Sequence, residues 1–231
     1  MLRLDRFLSN ASALTRSQAH KALRSGRVSV DGKIIKQGAF QVSRDARVFL
    51  DGQPVAAPSS RYLMLHKPLG VVCATEDPTH RTVIDLLDLA NPVGLHFAGR
   101  LDIDATGLVL ITDDGQWSHR ITSPTKKCAK TYRASLVSEI PDEALERIRN
   151  GILLRGEARP TAPARVERLG DALIRLTITE GRYHQVKRLF AAVGNRVSAL
   201  HRESIGDLQL DTTLEPGAYR SLTANEIGLF P

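Results

Sequence analysis

The sequence predicts an α+β protein with a small N-terminal α/β-hairpin domain and a larger domain built on a mixed, mainly antiparallel sheet. The composition is that of a globular protein, with 42% hydrophobic and 25% charged residues. Apolar and polar residues alternate in TYRASLV and LIRLTI, which is typical of antiparallel strands with one covered face. Strand and helix patterns are mixed without a regular β-α-β repeat, which favours the α+β class over a doubly wound sheet.

Two helices and a hairpin are predicted near the N-terminus. Apolar residues share one face of a helix over residues 4–13. Thr15 followed by Gln18 is a capping-box pattern, which predicts a second helix that ends near Gly26. The Asp-Gly pair at 31–32 joins two β-prone runs, RVSV and KIIK, and this dipeptide is a strong hairpin signal. Together these elements predict a helix–helix–hairpin unit.

Most of the net positive charge lies in residues 1–58. The whole chain carries a net charge of +7, and this segment has ten Lys or Arg against four Asp or Glu. On the second predicted helix Arg16, His20 and Arg24 recur every four residues and form one stripe. The asymmetry indicates a nucleic-acid-binding module attached to a nearly neutral body, and the alternative is a solvated basic surface.

The larger predicted domain follows a linker. Residues 51–60 hold two prolines and small polar residues, as linkers do. The predicted domains are therefore residues 1–58 and 59–231. Beyond the linker, strands are predicted over residues 62–66, 71–75, 107–112, 130–137 and 172–179. Helices are predicted over residues 142–150 and 184–193, each followed by a glycine.

The sequence argues against several classes of protein. No apolar run exceeds five residues, far short of the roughly 20 that cross a bilayer, and the N-terminus MLRLDRFLSN lacks the apolar core of a secretory signal. Cys73 and Cys128 have no CxxC partner, so neither a disulfide framework nor a zinc site is indicated. No Walker or dinucleotide-binding motif is present. We expect a cytoplasmic protein that needs no cofactor and no metal.

Two aspartates, Asp102 and Asp104, precede a buried-looking strand in GRLDIDATGLVL (residues 99–110). In an extended segment both would face one way, and in a turn they would diverge. A carboxylate on a loop that leads into a buried strand is well held and still reachable, which suits a nucleophile. The alternatives are two turn aspartates that bind nearby backbone, or the acid/base pair of a glycosidase.

A late segment, EGRYHQVKRLFAAVG (residues 180–194), predicts an amphipathic helix with apolar residues at i, i+3, i+4 and i+7. Its other side carries His184, Lys187, Arg188 and Ala191. This basic face is either merely solvated or supplies one cation to a catalytic carboxylate. A cation within about 4–6 Å keeps a carboxylate ionised against the effect of burial.

Two further segments carry basic residues. HRITSPTKKCAKTYR (residues 119–133) holds five Lys or Arg and no acid around Tyr132, which suits phosphate contacts combined with stacking. The alternative for Tyr132 is a place in the core of a strand. HKPLG (residues 66–70) places Lys67 before a proline turn, a pattern that is usually structural.

These segments, in this order, resemble the motifs of a known enzyme family. GRLDIDATGLVL resembles the catalytic-aspartate motif G-R-L-D-x-x-T-x-G-L of RNA pseudouridine synthases, and HKPLG, KTY and EGRYHQVKRLF match its surroundings. Arg3-Leu4-Asp5, the Thr15-Arg16-Ser17 corner and the run from Gly26 to Gly32 resemble an S4-type RNA-binding domain. Nearly the whole chain therefore resembles the RsuA family of ribosomal RNA pseudouridine synthases.

The resemblance implies roles for individual residues. Asp102 matches the nucleophile of the motif, whereas Asp104 matches a variable position. Tyr132 matches the tyrosine that packs against the target base. Lys187 matches the basic residue that pairs with the catalytic aspartate; related families often have Arg there, which leaves Arg188 as a competitor.

The basic segments and the resemblance together indicate residues that contact substrate or RNA. Arg100 resembles a residue that meets RNA as the base leaves its stack, and Lys67 with Pro68 looks like scaffold under the active site. The full set comprises Arg16, His20, Lys21, Arg24, Lys67, Arg100, Lys130, Arg182 and Arg188.

The function implied by the resemblance is isomerisation of one uridine in 16S ribosomal RNA, expected at the 516-type site, to pseudouridine. The reaction gains no atoms or electrons, so no cofactor is expected. The expected partner is ribosomal RNA, either naked or in an assembling small-subunit particle, bound by a monomer without a membrane. Three alternatives remain open: a 23S ribosomal RNA substrate, a non-catalytic S4-type RNA-binding protein, and a carboxylate-dependent glycosidase.

Overall fold

The computed structural model describes residues 2–12, 14–43, 45–56, 59–89 and 92–231. It divides into two units, one formed by residues 1–60 with 89–94 and the other by residues 61–88 with 95–231. The α+β class is confirmed, since both units combine helices with sheets and the larger sheet is mixed but mainly antiparallel.

The first unit has two helices and six short strands among its described residues. These are β1 (Leu2–Arg3), α1 (Leu4–Ala11), α2 (Arg16–Arg24), β2 (Val28–Val30), β3 (Lys33–Ile34), β4 (Gln41–Val42), β5 (Val48–Leu50) and β6 (Gln53–Val55). Strands β3-β2-β5-β6 form one antiparallel sheet, and β1 pairs with β4. The apolar faces of both helices pack against β2, β4 and β5 in one core.

Local sequence signals explain the elements of this unit. The Thr15 side chain accepts from the Gln18 backbone and the Gln18 side chain accepts from the Thr15 backbone, so the predicted capping box starts α2. The predicted hairpin at 31–32 joins β2 to β3, with both turn residues at positive φ. Helix α1 ends at Ala11, and Ala13, which was expected in this helix, lies outside the described residues.

The linker predicted over residues 51–60 is wrong in its first half. Asp51 and Gly52 form a second Asp-Gly turn with positive φ, and Gln53–Val55 return along β5 as a strand. The two prolines of this segment indicated a linker, although Asp51-Gly52 is the same hairpin signal as Asp31-Gly32. Ala57 and Pro58 lie outside the described residues, so the predicted boundary between residues 58 and 59 stays a prediction.

The second unit is built around one large sheet. Its elements are β7 (Tyr62–Lys67), β8 (His96–Phe97), β9 (Ala105–Thr112), α3 (Gly115–Thr122), β10 (Lys130–Leu136), α4 (Asp142–Asn150), β11 (Arg165–Gly170), β12 (Leu173–Ile178), α5 (Gln185–Ala192), β13 (Val197–Ile205), β14 (Leu208–Gln209), β15 (Tyr219–Ser221) and α6 (Ala224–Gly228). Nine strands of the described part run in the order β11-β12-β10-β13-β9-β7-β15, with β14 beside β13 and β8 beside β9.

Strands β9 and β13 form a parallel pair at the centre of this sheet, while the other pairings are antiparallel. Gly107 of β9 has φ +108°, and a Cβ there would lie 2.3 Å from the carbonyl oxygen of Arg202 on β13. Only glycine fits this approach, and the approach fixes β13 directly beside the segment that leads into β9.

The strand predicted over residues 71–75 is wrong. Val72 makes a single isolated bridge to Thr82, and its backbone exchanges hydrogen bonds with Arg81 and Val83 instead of a sheet strand. Val71 and Cys73 are buried. The apolar run therefore reflects packing of an irregular segment, which hydrophobicity alone does not distinguish from a buried strand.

Candidate active site

The segment that carries both aspartates forms a turn before β9, and a buried lysine binds the backbone carbonyls of this turn. The Asp102 carbonyl accepts from the Ala105 backbone at 3.1 Å. Lys67 is 0% exposed, and its Nζ donates to the carbonyls of Pro68, Ile103 and Ala105 at 2.9, 3.3 and 2.7 Å. Burial lowers the pKa of Lys67. The lysine thus fixes the backbone on the C-terminal side of Asp102.

A buried arginine holds the other side of the same turn. Arg202 of β13 is 1% exposed and donates to the carbonyls of Leu108, Arg100 and Gly99 at 2.8, 3.2 and 2.9 Å. Its guanidinium carbon lies 5.9 Å from the ring centre of Tyr132. Two buried cations therefore bracket Asp102 through backbone carbonyls.

Helix α5 brings Lys187 to both aspartates. Its Nζ donates to Asp102 Oδ2 at 2.8 Å and also to Asp104 Oδ1. Burial disfavours the ammonium, but its hydrogen bonds to the two carboxylates outweigh that effect and raise the pKa of Lys187. The hydrogen bond from Lys187 lowers the pKa of Asp104. The turn does not separate the aspartates, because they share one cation.

His184 approaches Asp102 from the start of α5. It adopts a left-handed conformation with φ 46° and ψ 37°, which is uncommon for a non-glycine residue. Its Nε2 lies 3.5 Å from Asp102 Oδ1. The ring of Tyr183 stacks on the His184 ring with centroids 3.8 Å apart.

Most of these side chains, though not Lys67 or Asp104, line one cavity of about 820 Å³. Its wall includes Arg100, Asp102, Tyr132, Tyr183 and Lys187. Asp102 is 27% exposed at its side chain, so the carboxylate faces the cavity without being open to bulk water on all sides. The volume falls in the range of small-molecule sites and accommodates a nucleotide.

The other basic residues predicted to contact RNA in this unit differ in burial and in hydrogen-bond partners. Lys67 is buried and its ammonium donates to three backbone carbonyls, which favours the role of scaffold over an RNA contact, and both roles stay predictions. Lys130 lines the cavity, but its Nζ donates to the carbonyls of Ile121 and Cys128. Arg100 is exposed at the cavity wall. RNA contacts of Lys130 and Arg100 stay predictions.

Arg182 and Arg188 point away from the aspartates. Both donate to Glu157, at 3.4 and 2.9 Å, and both donate to backbone carbonyls of residues 155–160. Arg188 therefore does not compete with Lys187 for Asp102. The two arginines tie the start of α5 to a neighbouring loop.

The basic stripe of the first unit surrounds a buried acid. Arg16 Nη2 and His20 Nε2 lie 3.5 and 3.1 Å from Asp5 Oδ2, and a hydrogen bond from Arg3 lowers the pKa of Asp5 to about 2. Lys21 and Arg24 are exposed on the same helix. A second cavity of about 630 Å³ is lined by Arg16, Ser17, His20, Lys21, Arg24 and Ser25.

Sequence reasoning missed Arg202, the approach of His184 to Asp102, and the exposure of Tyr183. The one available signal for Arg202 was its inward position between Leu200 and Ser204 in an alternating strand. In the described residues, no group of three or more His, Cys, Asp or Glu is arranged to hold a metal ion. No helix of the described chain is long and apolar enough to span a membrane.

Comparisons with known proteins match both units. Residues 61–192 match the family described as RNA pseudouridylate synthase, and residues 2–48 match the S4 domain. The ribosomal small subunit pseudouridine synthase A of Vibrio parahaemolyticus is 54% identical, and that of Escherichia coli is 51% identical, each over 98% of both chains. A crystal structure of a pseudouridylate synthase is 48% identical over the full length of both chains, with a TM-score of 0.73.

Proposed function

This chain belongs to the RNA pseudouridylate synthase family, and we propose that it converts one uridine of 16S ribosomal RNA, the 516-type site, to pseudouridine. It is an RNA pseudouridine synthase with an S4 domain. The small-subunit substrate is supported by full-length relatives of 51–54% identity that are named for the ribosomal small subunit.

The observation that carries the proposal is the contact of 2.8 Å between Lys187 Nζ and Asp102 Oδ2 inside a nucleotide-sized cavity. A nucleophilic carboxylate must stay ionised when substrate excludes water, and an adjacent ammonium stabilises that charge. We propose Asp102 as the nucleophile and Lys187 as the residue that keeps it charged.

The chemistry requires one bond to break and another to form at the same sugar carbon. The N1–C1′ bond breaks, the uracil turns while Asp102 acts as nucleophile, and C5 then bonds to C1′. The C5 proton leaves and N1 takes up a proton, so the RNA gains and loses no atoms. Tyr132, which is 9% exposed and held near Arg202, provides a rigid ring for the target base to pack against.

The target base must leave its stack before it reaches Asp102, at a cost of a few kcal/mol. Contacts between cations and phosphates offset that cost. Arg100 is the exposed cation of the cavity wall. In the first unit, proposed as the RNA-binding domain over residues 1–58, Arg16, Lys21 and Arg24 supply the cationic face, with His20 among them.

Substitution of Asp102 tests the proposed chemistry. Asp102→Asn should lower turnover by about 10³-fold or more, because the amide is a poor nucleophile. RNA binding should stay within about threefold of wild type, since the amide keeps the same shape. Tritium release from RNA labelled at uridine C5 measures turnover, and filter binding measures affinity.

Asp104→Asn is the matched control. Asp104 bonds to the same Lys187 but is 63% exposed at its side chain, so its loss should leave activity within about tenfold of wild type. Equal loss in both variants would assign the chemistry to the pair rather than to Asp102.

Mapping the modified uridine tests the proposed substrate. Small-subunit and large-subunit ribosomal RNA from a deletion strain are each incubated with the purified protein, as naked RNA and as assembling particles. Pseudouridine at one position of 16S RNA is expected. Modification of 23S RNA would replace the proposed substrate, and the absence of tritium release from every RNA would favour a binding protein.

We also propose that the protein acts as a monomer in the cytoplasm, where ribosomal RNA is assembled into particles. Cys73 and Cys128 are both free thiols, which fits a reducing compartment.

A further inference from the structure

Tyr183 is the most exposed large apolar side chain among the described residues, and it lies at the wall of the catalytic cavity. It is 77% exposed, whereas the tyrosine proposed to pack against the target base, Tyr132, is almost fully buried in the same cavity. An exposed aromatic ring at the wall of a cavity is available to contact a ligand, since tyrosine combines a large apolar face with a polar hydroxyl group.

The backbone that presents Tyr183 is fixed, although its side chain is exposed. The Tyr183 carbonyl accepts from Arg188 Nη1 at 3.1 Å, and that arginine also donates to Glu157 at 2.9 Å. The Arg182 backbone donates to Gln185 Oε1 at 2.9 Å. A ring held in this way loses little conformational freedom when a ligand binds.

His184 supports the ring of Tyr183 from one side. The two rings are stacked with centroids 3.8 Å apart and planes inclined by 20°. His184 also lies 3.5 Å from Asp102 through its Nε2. Tyr183 and His184, here called the aromatic shelf, therefore form a flat surface that ends at the proposed nucleophile.

Resting on the proposed function, we propose that the aromatic shelf is a binding site for the nucleobase of the nucleotide next to the target uridine. A uridine that leaves its stack exposes a face of its neighbour, and an aromatic side chain can cover that face. The exposed Arg100 at the same cavity can meet the intervening phosphate. The shelf recognises the π face of the base and not its hydrogen-bonding edge.

Substitution of Tyr183 tests the shelf on an RNA that spans the uridine modified by the wild-type protein. Tyr183→Ala should weaken RNA binding about fivefold or more, as expected for the loss of one stacked base. Tyr183→Phe keeps the ring and should bind as wild type does. Leu153→Ala is the matched control, because Leu153 is 59% exposed and lies outside the cavity wall.

RNAs that lack the base on the 5′ or on the 3′ side of the target uridine identify the contact. One of these RNAs should bind the wild-type protein about fivefold more weakly than intact RNA does. Tyr183→Ala, which lacks the stacking ring, should bind that RNA and intact RNA equally well. Equal binding of intact RNA by the wild-type protein and Tyr183→Ala would overturn the shelf. It would also be overturned if removal of either base weakened RNA binding by the same factor in both proteins.

The same measurements separate this inference from the function on which it rests. If the wild-type protein releases no tritium from any ribosomal RNA, the proposed function fails and the shelf fails with it. If the wild-type protein releases tritium and Tyr183→Ala binds normally, only the shelf fails.

Discussion

Lys187 is the residue on which the charge state of the site depends. It bonds to Asp102 and to Asp104, and its hydrogen bond lowers the pKa of Asp104. Two carboxylates that share a site repel each other unless a cation lies between them. A single ammonium therefore bridges the two carboxylates and holds Asp102 in a fixed position.

Removing this cation should move the pH dependence of catalysis. In Lys187→Gln the two carboxylates lose their shared cation, and Asp104 loses the hydrogen bond that lowers its pKa. We expect the acid limb of the kcat/KM profile to shift upward by about one unit, with lower activity at pH 7. Tritium release measured from pH 5 to 9 gives the profile.

Arg147→Gln is the control for this profile, because Arg147 is exposed on α4 outside the cavity wall. It should leave the acid limb where it is in the wild-type protein. An unshifted acid limb in Lys187→Gln would show that Lys187 only positions the two carboxylates and that its charge has no effect on the pH profile.

At the scale of elements, the parallel pair β9 and β13 places the catalytic turn. Gly107 lets the two strands approach closely, and Arg202 then reaches back from β13 to the carbonyls of Gly99 and Arg100. Lys67, from β7 on the other side of β9, holds Ile103 and Ala105. The rigidity of the turn is thus a property of three neighbouring strands.

Gly107→Ala should disrupt this arrangement. The substitution forces a Cβ at φ +108° into the backbone of Arg202, and we expect a loss of about 3 kcal/mol or more of stability. Urea unfolding measures the loss. Gly170→Ala is the control, because its Cβ would meet only the Leu173 side chain at 3.6 Å; equal stability of the two variants would contradict the close approach.

A second network of charged residues links the C-terminal helix α6 to strand β15. Arg220 of β15 donates to Asp211 Oδ2 and to Glu226 Oε1, both at 2.7 Å. The Arg220 hydrogen bond lowers the pKa of Glu226 to about 2. A lowered carboxyl pKa stabilises the fold above the usual value near 4.5, and this stabilisation is lost as pH falls toward 2.

Arg220→Gln should therefore lower the Tm by a few degrees at pH 7 and by less at pH 3. Thermal unfolding between pH 2.5 and 7 checks this. Glu226→Gln should flatten the same pH dependence, since it removes the other half of the pair. A Tm difference between the wild-type protein and Arg220→Gln that does not change with pH would assign the effect to packing.

At the scale of the whole molecule, the positive charge is segregated. Residues 1–58 carry ten of the 32 Lys and Arg but only four of the 25 Asp and Glu. Affinity for RNA through such a surface depends on counterion release and therefore on salt. We expect the first unit to contribute affinity and the second unit to contribute chemistry.

Removing two exposed cations from α2 tests this division. Lys21→Gln with Arg24→Gln should reduce the slope of log K against log salt by about 1 to 2 units and leave kcat at saturating RNA nearly unchanged. Arg147→Gln with Arg165→Gln removes two exposed charges from the second unit as the control. An equal change of slope in both pairs would contradict a localised RNA surface.

Local sequence determined the elements whose ends are encoded by neighbouring residues. The Thr15–Gln18 capping box, the Asp-Gly turn at 31–32 and the helix over 142–150 form as predicted, because caps and turns act within four residues. The ordered motifs also determined the family. The strand predicted over 71–75 is wrong because hydrophobicity alone does not distinguish a buried irregular segment from a buried strand.

Tertiary structure decided how each charged side chain is used. Residue type and spacing alone do not distinguish Lys67, Lys187 and Arg202, and only the family resemblance suggested different roles for the two lysines. In the structure Lys67 binds the backbone of the catalytic turn, Lys187 pairs with Asp102 and Arg202 binds the same turn from β13. Apart from Pro68, which follows Lys67 directly, their partners lie 36 to 103 residues away. The desolvation and hydrogen bonding that fix the role of a cation depend on these distant backbone carbonyls and carboxylates, and only the folded chain brings them together.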